Sequence, residues 1–251
     1  MTLALPARAK LNLDLEVIRR TEDGFHDVRT TIQGIDLHDL LLMTDASQTS
    51  LTITGLPVAS SHENSVLKAH HALELAIGRA IPTRFHLHKR IPPGSGMGGA
   101  SSDAAAVLRG LAAVHRLDVD LRALALSIGA DVPFFLTGGT ARAEGRGDKL
   151  TRLPTTPAWF AIAWPGIELS TASVYLAWDE VQGEAPNHLL RAAELAEPRV
   201  VDFAQSLGPG WQMTGSGSAF FRRCTDYEQA REVTASVDCW TAVTRAVGPW
   251  A

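Results

Sequence analysis

Residues 92–103 read Pro92-Pro93-Gly94-Ser95-Gly96-Met97-Gly98-Gly99-Ala100-Ser101-Ser102-Asp103, and the fold is read outward from them. Upstream, Phe85, Leu87, Lys89 and Ile91 alternate with His86, His88 and Arg90, the period of a strand. Downstream, Ser101-Ser102-Asp103 opens a helical stretch that runs to about His115. A strand therefore enters a Gly-rich turn and a helix leaves it. Glycine lets backbone N–H groups close on an anion with no Cβ in the way, and a helix N-terminus adds unpaired donors and a positive dipole end. The Ser101 and Ser102 hydroxyls can cap that helix or bind phosphate or Mg²⁺. A flexible turn before a capped helix is the plain alternative, and four glycines between Gly94 and Gly99 argue against it.

Gly94, Gly96 and Gly99 also satisfy the G-x-G-x-x-G spacing of dinucleotide-binding loops. That reading needs a following strand ending in an acid about 20 residues on. Asp118 and Asp120 stand near that distance, but Leu121 to Ile128 reads as a helix. No Gly-Lys-Ser/Thr follows the loop, so it is not a Walker A motif, and protein-kinase motifs are missing.

Away from the loop, Leu11, Leu13, Leu15 and Val17 alternate with Asn12, Asp14 and Glu16, a half-buried strand with Lys10 on the polar face beside Asn12. Glu22-Asp23-Gly24 is a turn, and Val28 to Met43 offers one or two returning strands. Helical spacing covers Asn64 to Arg79, Asp120 to Ile128, Thr171 to Trp178, Asn187 to Ala196, Val200 to Leu207 and Tyr227 to Ala235. Strands are expected at Thr140 to Glu144, Trp159 to Trp164, Trp211 to Thr214, Ala219 to Arg223 and Cys239 to Arg245. Strands and helices fall in blocks and not in strict βαβ units, which favours an α+β fold.

Composition narrows the function. The 251 residues are 45% apolar and 20% charged, ordinary for a globular chain with ample core. A formal net charge of −4 carries no polybasic signal for nucleic acid or an anionic membrane. The richest apolar run, Ala158 to Ile167, is broken by Pro165 and falls short of the ~18 residues needed to span a bilayer. The first ten residues lack a signal-peptide pattern. Two cysteines, Cys224 and Cys239, make neither a disulfide framework nor a metal knuckle, and a cytoplasmic chain is expected. His86, His88 and the pair His70-His71 lack partners at metal-ligand spacing, so no structural metal is expected. Only 4 of the 23 basic side chains are lysines (Lys10, Lys68, Lys89, Lys149). A lysine here invites a role that a rigid, permanently charged guanidinium would not fill.

The Gly-rich segment resembles the phosphate loop of the superfamily of galactose, homoserine, mevalonate and phosphomevalonate kinases. Pro6-Ala7-Arg8-Ala9-Lys10-Leu11-Asn12-Leu13 is similar to that superfamily's N-terminal motif, and Thr214-Gly215-Ser216-Gly217-Ser218-Ala219-Phe220-Phe221 to its C-terminal Gly-rich one. Gly24-Phe25-His26 followed by Thr30, and Gly129-Ala130-Asp131-Val132-Pro133-Phe134, are similar to the branch acting on a cytidine diphosphate-linked methylerythritol, in non-mevalonate isoprenoid synthesis. Five ordered motifs span nearly the whole chain. Met97 stands for the usual Leu, Ala100 for a usual Gly and Phe25 for the more usual Tyr, and residues 187–210 look shortened.

The resemblance implies a two-lobed fold: an ATP-binding lobe over residues 1–150, and a second lobe over 151–251 completing the substrate site in the cleft between them. It implies ATP bound by Pro92, Pro93, Gly94, Ser95, Gly96, Met97, Gly98, Gly99, Ala100, Ser101 and Ser102. Asn64 and Lys89 would lie near the adenine and ribose, although a helix cap and a strand lysine explain them as well. Mg²⁺ would arrive with ATP, held mainly by phosphates. Asp131, which position alone leaves divided between a helix N-cap and a catalytic carboxylate, becomes the general base toward the substrate hydroxyl. Lys10 becomes its catalytic partner. Phe25 would stack on the cytosine, His26 would hydrogen-bond its edge, and Tyr175 would take the second stacking position. Asn12 and Thr171 are further substrate contacts. A monomer or weak homodimer is expected, with small-molecule partners only. Another small-molecule kinase of the superfamily, such as homoserine kinase, and a dinucleotide-binding module are the alternatives.

Overall fold

The computed structural model describes residues 2–58 and 63–250. Two long antiparallel strands, β1 (Thr2–Arg20) and β2 (His26–Asp45), are joined by the Glu22–Gly24 turn and form the spine. β2 is one continuous strand, within the one or two expected, and two strands share its other edge. Residues 40–45 pair with β4 (Thr83–Lys89) and residues 28–33 with β5 (Thr140–Gly145). β3 (Ser50–Gly55), parallel to β4, and β6 (Lys149–Leu153), against β5, complete the first sheet. Neither edge strand was legible. Both are short and mostly exposed, with no apolar stripe to read.

α1 (Ser65–Ile77), α2 (Gly99–His115), α3 (Leu121–Ile128) and α4 (Val132–Thr137) cover this sheet, with Leu73, Phe85, Leu108 and Phe134 in their shared core. α2 passes to α3 and not to a parallel strand, which removes the dinucleotide-binding alternative. Of α4 only the start at Asp131 was marked, because its six residues are too few for a helical period to show.

The second sheet runs β10-β7-β9-β8, formed by β7 (Trp159–Trp164), β8 (Gln212–Met213), β9 (Phe220–Cys224) and β10 (Trp240–Arg245). α5 (Thr171–Val181), α6 (Leu190–Ala196) and α7 (Arg199–Leu207) pack with Met213 and Phe220, and α8 (Tyr227–Ala235) lies against β7. Ala9, Leu11, Ile35 and Met97 of the first half meet Phe160, Ile162 and Phe221 of the second in one core cluster. The expected division at residue 150 cuts β6, which still pairs in the first sheet, so the change of sheet falls after Leu153. No helix among the described residues is long and apolar enough to cross a membrane.

Candidate active site

The alternation in β1 is real, and Asp14 and Glu16 on its polar face reach solvent, but Lys10 and Asn12 on the same face do not. Ala9, Lys10, Leu11 and Asn12 are all buried, apolar side chains in the core and polar ones on the floor of a cavity. Register shifts between Arg8 and Lys10 and between Asn12 and Asp14 flank this stretch, the kind of strand irregularity that re-aims side chains at sites. Asn12 is held at three points. Its backbone N–H donates to Thr214 Oγ1 at 2.8 Å, its Nδ2 to Thr30 Oγ1 at 2.8 Å, and its Oδ1 accepts from the Lys10 amine.

The two Gly-rich segments, far apart in sequence, face each other. Ser218 N donates to Gly94 O at 3.2 Å and Ala219 N to Ser95 O at 3.1 Å. They close around Lys10: a Cβ on Gly215 would lie 3.0 Å from the Lys10 amine, and one on Gly98 3.4 Å from Lys10 Cε. Asn187 pins the second segment by donating to Met213 O and Gly215 O, each at 2.9 Å. Expected as the start of a helix, Asn187 is instead a buried loop anchor before α6.

Between these elements lies a cavity of about 480 Å³. Of the expected site residues it gathers Lys10, Asn12, Lys89, Pro92, Pro93, Gly94, Ser95, Gly96, Gly98, Gly99, Ala100, Ser101, Asp131, Thr171 and Tyr175. The N-terminus of α2 opens onto it with Gly98 at the cap, no side-chain capping bond and no acidic residue in the first turn. Those free N–H groups and the dipole suit an anion. Asp131 occupies the N-cap position of α4, yet its carboxylate makes no capping bond. The capping explanation therefore fails, and the carboxylate lines the cavity. Burial lowers the Lys10 pKa, and the charge of Asp131 works against that shift. Burial raises the Tyr175 hydroxyl pKa, and the Asp131 charge raises it further.

Several expected residues stand elsewhere. Met97 is fully buried in the core cluster between the two halves, and its carbonyl accepts from Lys10 N at 3.0 Å, so its side chain packs and does not line the cavity. Ser102 is buried one turn into α2. Asn64 caps α1, accepting from Val66 N at 3.0 Å. Phe25 is 54% exposed and carries the Arg146 guanidinium 3.9 Å from its ring centroid. His26 is buried against Tyr175, Trp178 and Asp179. Neither Phe25 nor His26 lines the cavity wall, but their neighbours Arg146 and Tyr175 do. Arg146 and Gly147 went unread because an Arg-Gly pair between strands looks like any exposed turn. Thr30 and Ser216, each inside one of the motifs that carry the family resemblance, also line the cavity. Ser216 Oγ lies 3.0 Å from Thr171 Oγ1.

Lys89 reaches the cavity edge with its amine committed to Asp39 and, at 2.8 Å, to Asp103. Two carboxylates thus share one buried cation, and Asp103 Oδ1 has no partner. Burial alone would lower the Lys89 pKa, but the charges of Asp103 and Asp39 outweigh it and raise it. Burial pushes Asp103 from 3.8 up to about 7, against the pull of Lys89. Native Asp103 then binds its proton more tightly than the unfolded chain does, so the stability it contributes is lost as pH rises from 3.8 to about 7. Unfolding midpoints measured from pH 4 to 8 should fall more steeply for the wild type than for Asp103→Asn. Parallel curves would show that Asp103 titrates normally.

Residues 64–139 match the family described as GHMP kinases N terminal domain, the class of small-molecule kinase that the two facing Gly-rich segments define. A 4-diphosphocytidyl-2-C-methyl-D-erythritol kinase from Pelotomaculum thermopropionicum is 33% identical over 285 residues, covering 99% of each chain. The enzyme of that name from Moorella thermoacetica is 40% identical over 190 residues, 73% of this chain and 66% of that protein. A crystal structure of 4-(cytidine 5'-diphospho)-2C-methyl-D-erythritol kinase superposes with a TM-score of 0.82 at 33% identity, covering 98% of this chain and 100% of that one. The chain belongs to the 4-diphosphocytidyl-2-C-methyl-D-erythritol kinase family.

Proposed function

We propose that this chain transfers the γ-phosphoryl group of ATP to the 2-hydroxyl of 4-diphosphocytidyl-2-C-methyl-D-erythritol, in non-mevalonate isoprenoid synthesis. The observation that carries the reading is one cavity holding Lys10, Asp131 and the uncapped start of α2 beside both Gly-rich segments. In this reading the α2 N-terminus and the loop from Pro92 to Ser101 receive the phosphates. Asp131 takes the hydroxyl proton as the oxygen attacks the γ-phosphorus and ADP leaves. The Lys10 amine, aimed by Asn12, balances charge on the transferring group. The residues present fit nucleotide phosphates with Mg²⁺: the metal would come with ATP, supply charge neutralisation and be held mainly by phosphate oxygens, with the Ser101 hydroxyl beside it. We place the ATP-binding lobe at residues 2–153 and the substrate-completing lobe after it, and we place the enzyme in the cytosol. A coupled assay for ADP formation tests the reading. Turnover with the cytidine diphosphate-linked methylerythritol supports it, and turnover with homoserine alone would move the chain to another branch.

Phe25 supplies a second check. Its exposure excludes a core role, and one ring face already bears Arg146, leaving the other for a base. Phe25→Ala should weaken substrate binding by ~1–3 kcal/mol, the usual worth of one stacked base, with the KM for ATP nearly unchanged. Equal losses for both ligands would remove the stacking role.

A further inference from the structure

His26 is held on three sides. Its Nε2 lies 2.7 Å from Asp179 Oδ1. Tyr175 stacks on the ring with centroids 5.0 Å apart and planes 26° apart, and Trp178 meets it edge-on at 5.4 Å. The His26 side chain is 5% exposed and that of Asp179 21%. The other Asp179 oxygen is 3.2 Å from Arg20 Nη1. An ionised carboxylate only accepts hydrogen bonds, so the bond to Asp179 requires the hydrogen on Nε2. A neutral imidazole with its hydrogen on Nε2 presents Nδ1 as a lone-pair acceptor. Among the described residues Nδ1 has no hydrogen-bond partner, and Tyr175, stacked on the imidazole, is itself a cavity-lining residue.

We propose that Asp179 is a positioning residue that sets base selectivity by fixing the tautomer of His26. Nδ1 then accepts from an exocyclic amine, as on cytosine, and opposes the carbonyl that uracil carries at the same place. The inference rests on the proposed reading, in which a cytidine diphosphate moiety lies against His26. It adds a residue that never touches the ligand. Arg20 completes the device. In an Asp179→Asn variant the amide oxygen is the group that can accept from Arg20, which turns the amide N–H toward His26. Nε2 must then accept, and the ring hydrogen moves to Nδ1. The shape of the site is unchanged while its polarity is reversed, the logic by which an Asp→Asn change beside a catalytic histidine yields the wrong tautomer.

The test compares wild type with Asp179→Asn, using CDP and UDP as competitive probes and ¹⁵N shifts to read the His26 tautomer. Wild type should carry its hydrogen on Nε2 and bind CDP more tightly than UDP. In the variant CDP should weaken ~10-fold or more, the cost of setting a donor against a donor. UDP should hold or tighten, and the KM for ATP should not move. Equal weakening of CDP and UDP would make Asp179 a prop for the ring and nothing more. A hydrogen on Nδ1 in the wild type overturns the proposal without any variant having to fold. Failure of wild type to bind either probe or turn over the cytidine substrate would instead strike the proposed function itself.

Discussion

Asp131→Asn should lower turnover by ~10²–10⁴-fold, the usual contribution of a positioned general base, with the fold intact. The fold should survive because the carboxylate caps nothing: α4 begins after Asp131 with no bond from its side chain and with Pro133 in the first turn. Asn fills the same space and cannot take the hydroxyl proton. Lys10→Ala should cost a comparable factor. Its amine is buried, bonded to Asn12 and within the field of Asp131, so removing it strips both charge and orientation from the reacting groups. The double variant should be little worse than either single, because residues acting as one unit are not additive. Both singles should keep their affinity for ATP, since the α2 N-terminus and the loop supply the phosphate contacts in this reading. Steady-state kinetics of the four proteins settle the matter. Rate losses that multiply would assign Lys10 and Asp131 to separate steps, and near-normal turnover in Asp131→Asn would return that residue to a plain helix start.

Legibility in the sequence followed the strength of local signals. β7 was placed to the residue from its continuous apolar run and α8 from helical spacing, and the strand–loop–helix around Gly94 from its glycines. β3 and β6 were lost because they are short and lie at sheet edges where few side chains are buried, and of the six-residue α4 only the start at Asp131 was marked. The meaning of the polar face of β1 was hidden for a different reason. Whether Lys10 and Asn12 meet solvent or a cavity depends on the segment around Gly215, some two hundred residues away in the chain. No period within β1 carries that information. Asp131 shows the same limit: its position announced a helix start correctly, and only the fold shows that its carboxylate is not spent there. Arg146 has no local mark at all, and Met97 was counted with the loop although its side chain belongs to the core between the halves.

The loop glycines carry the second large expectation, and its cause differs from the one the sequence suggests. Read locally, Gly96 lacks a Cβ so that an anion can come close, and Gly96→Val should spoil ATP binding in an otherwise sound protein. In the fold, a Cβ on Gly96 would stand 2.2 Å from the Thr214 carbonyl oxygen and 3.0 Å from Gly217 N. Both are backbone atoms of the facing segment, which cannot swing aside as a flexible side chain can. Gly96 also sits at φ +77°, where an L side chain costs ~1–2 kcal/mol. Forcing the two segments apart adds a further ~1–3 kcal/mol of overpacking. Gly96→Val should therefore lower stability by ~3 kcal/mol, roughly 6–12 °C in Tm for a chain of this size, together with a raised KM for ATP. Gly78→Ala isolates the backbone cost, because Gly78 has φ +67° and nothing within 4 Å of its Cβ position. Gly96→Ala should exceed Gly78→Ala by the price of the collision alone. Equal losses in these two alanine variants would mean that the Gly-rich segments do not press on each other at Thr214, and the closure around Lys10 would have to be redrawn.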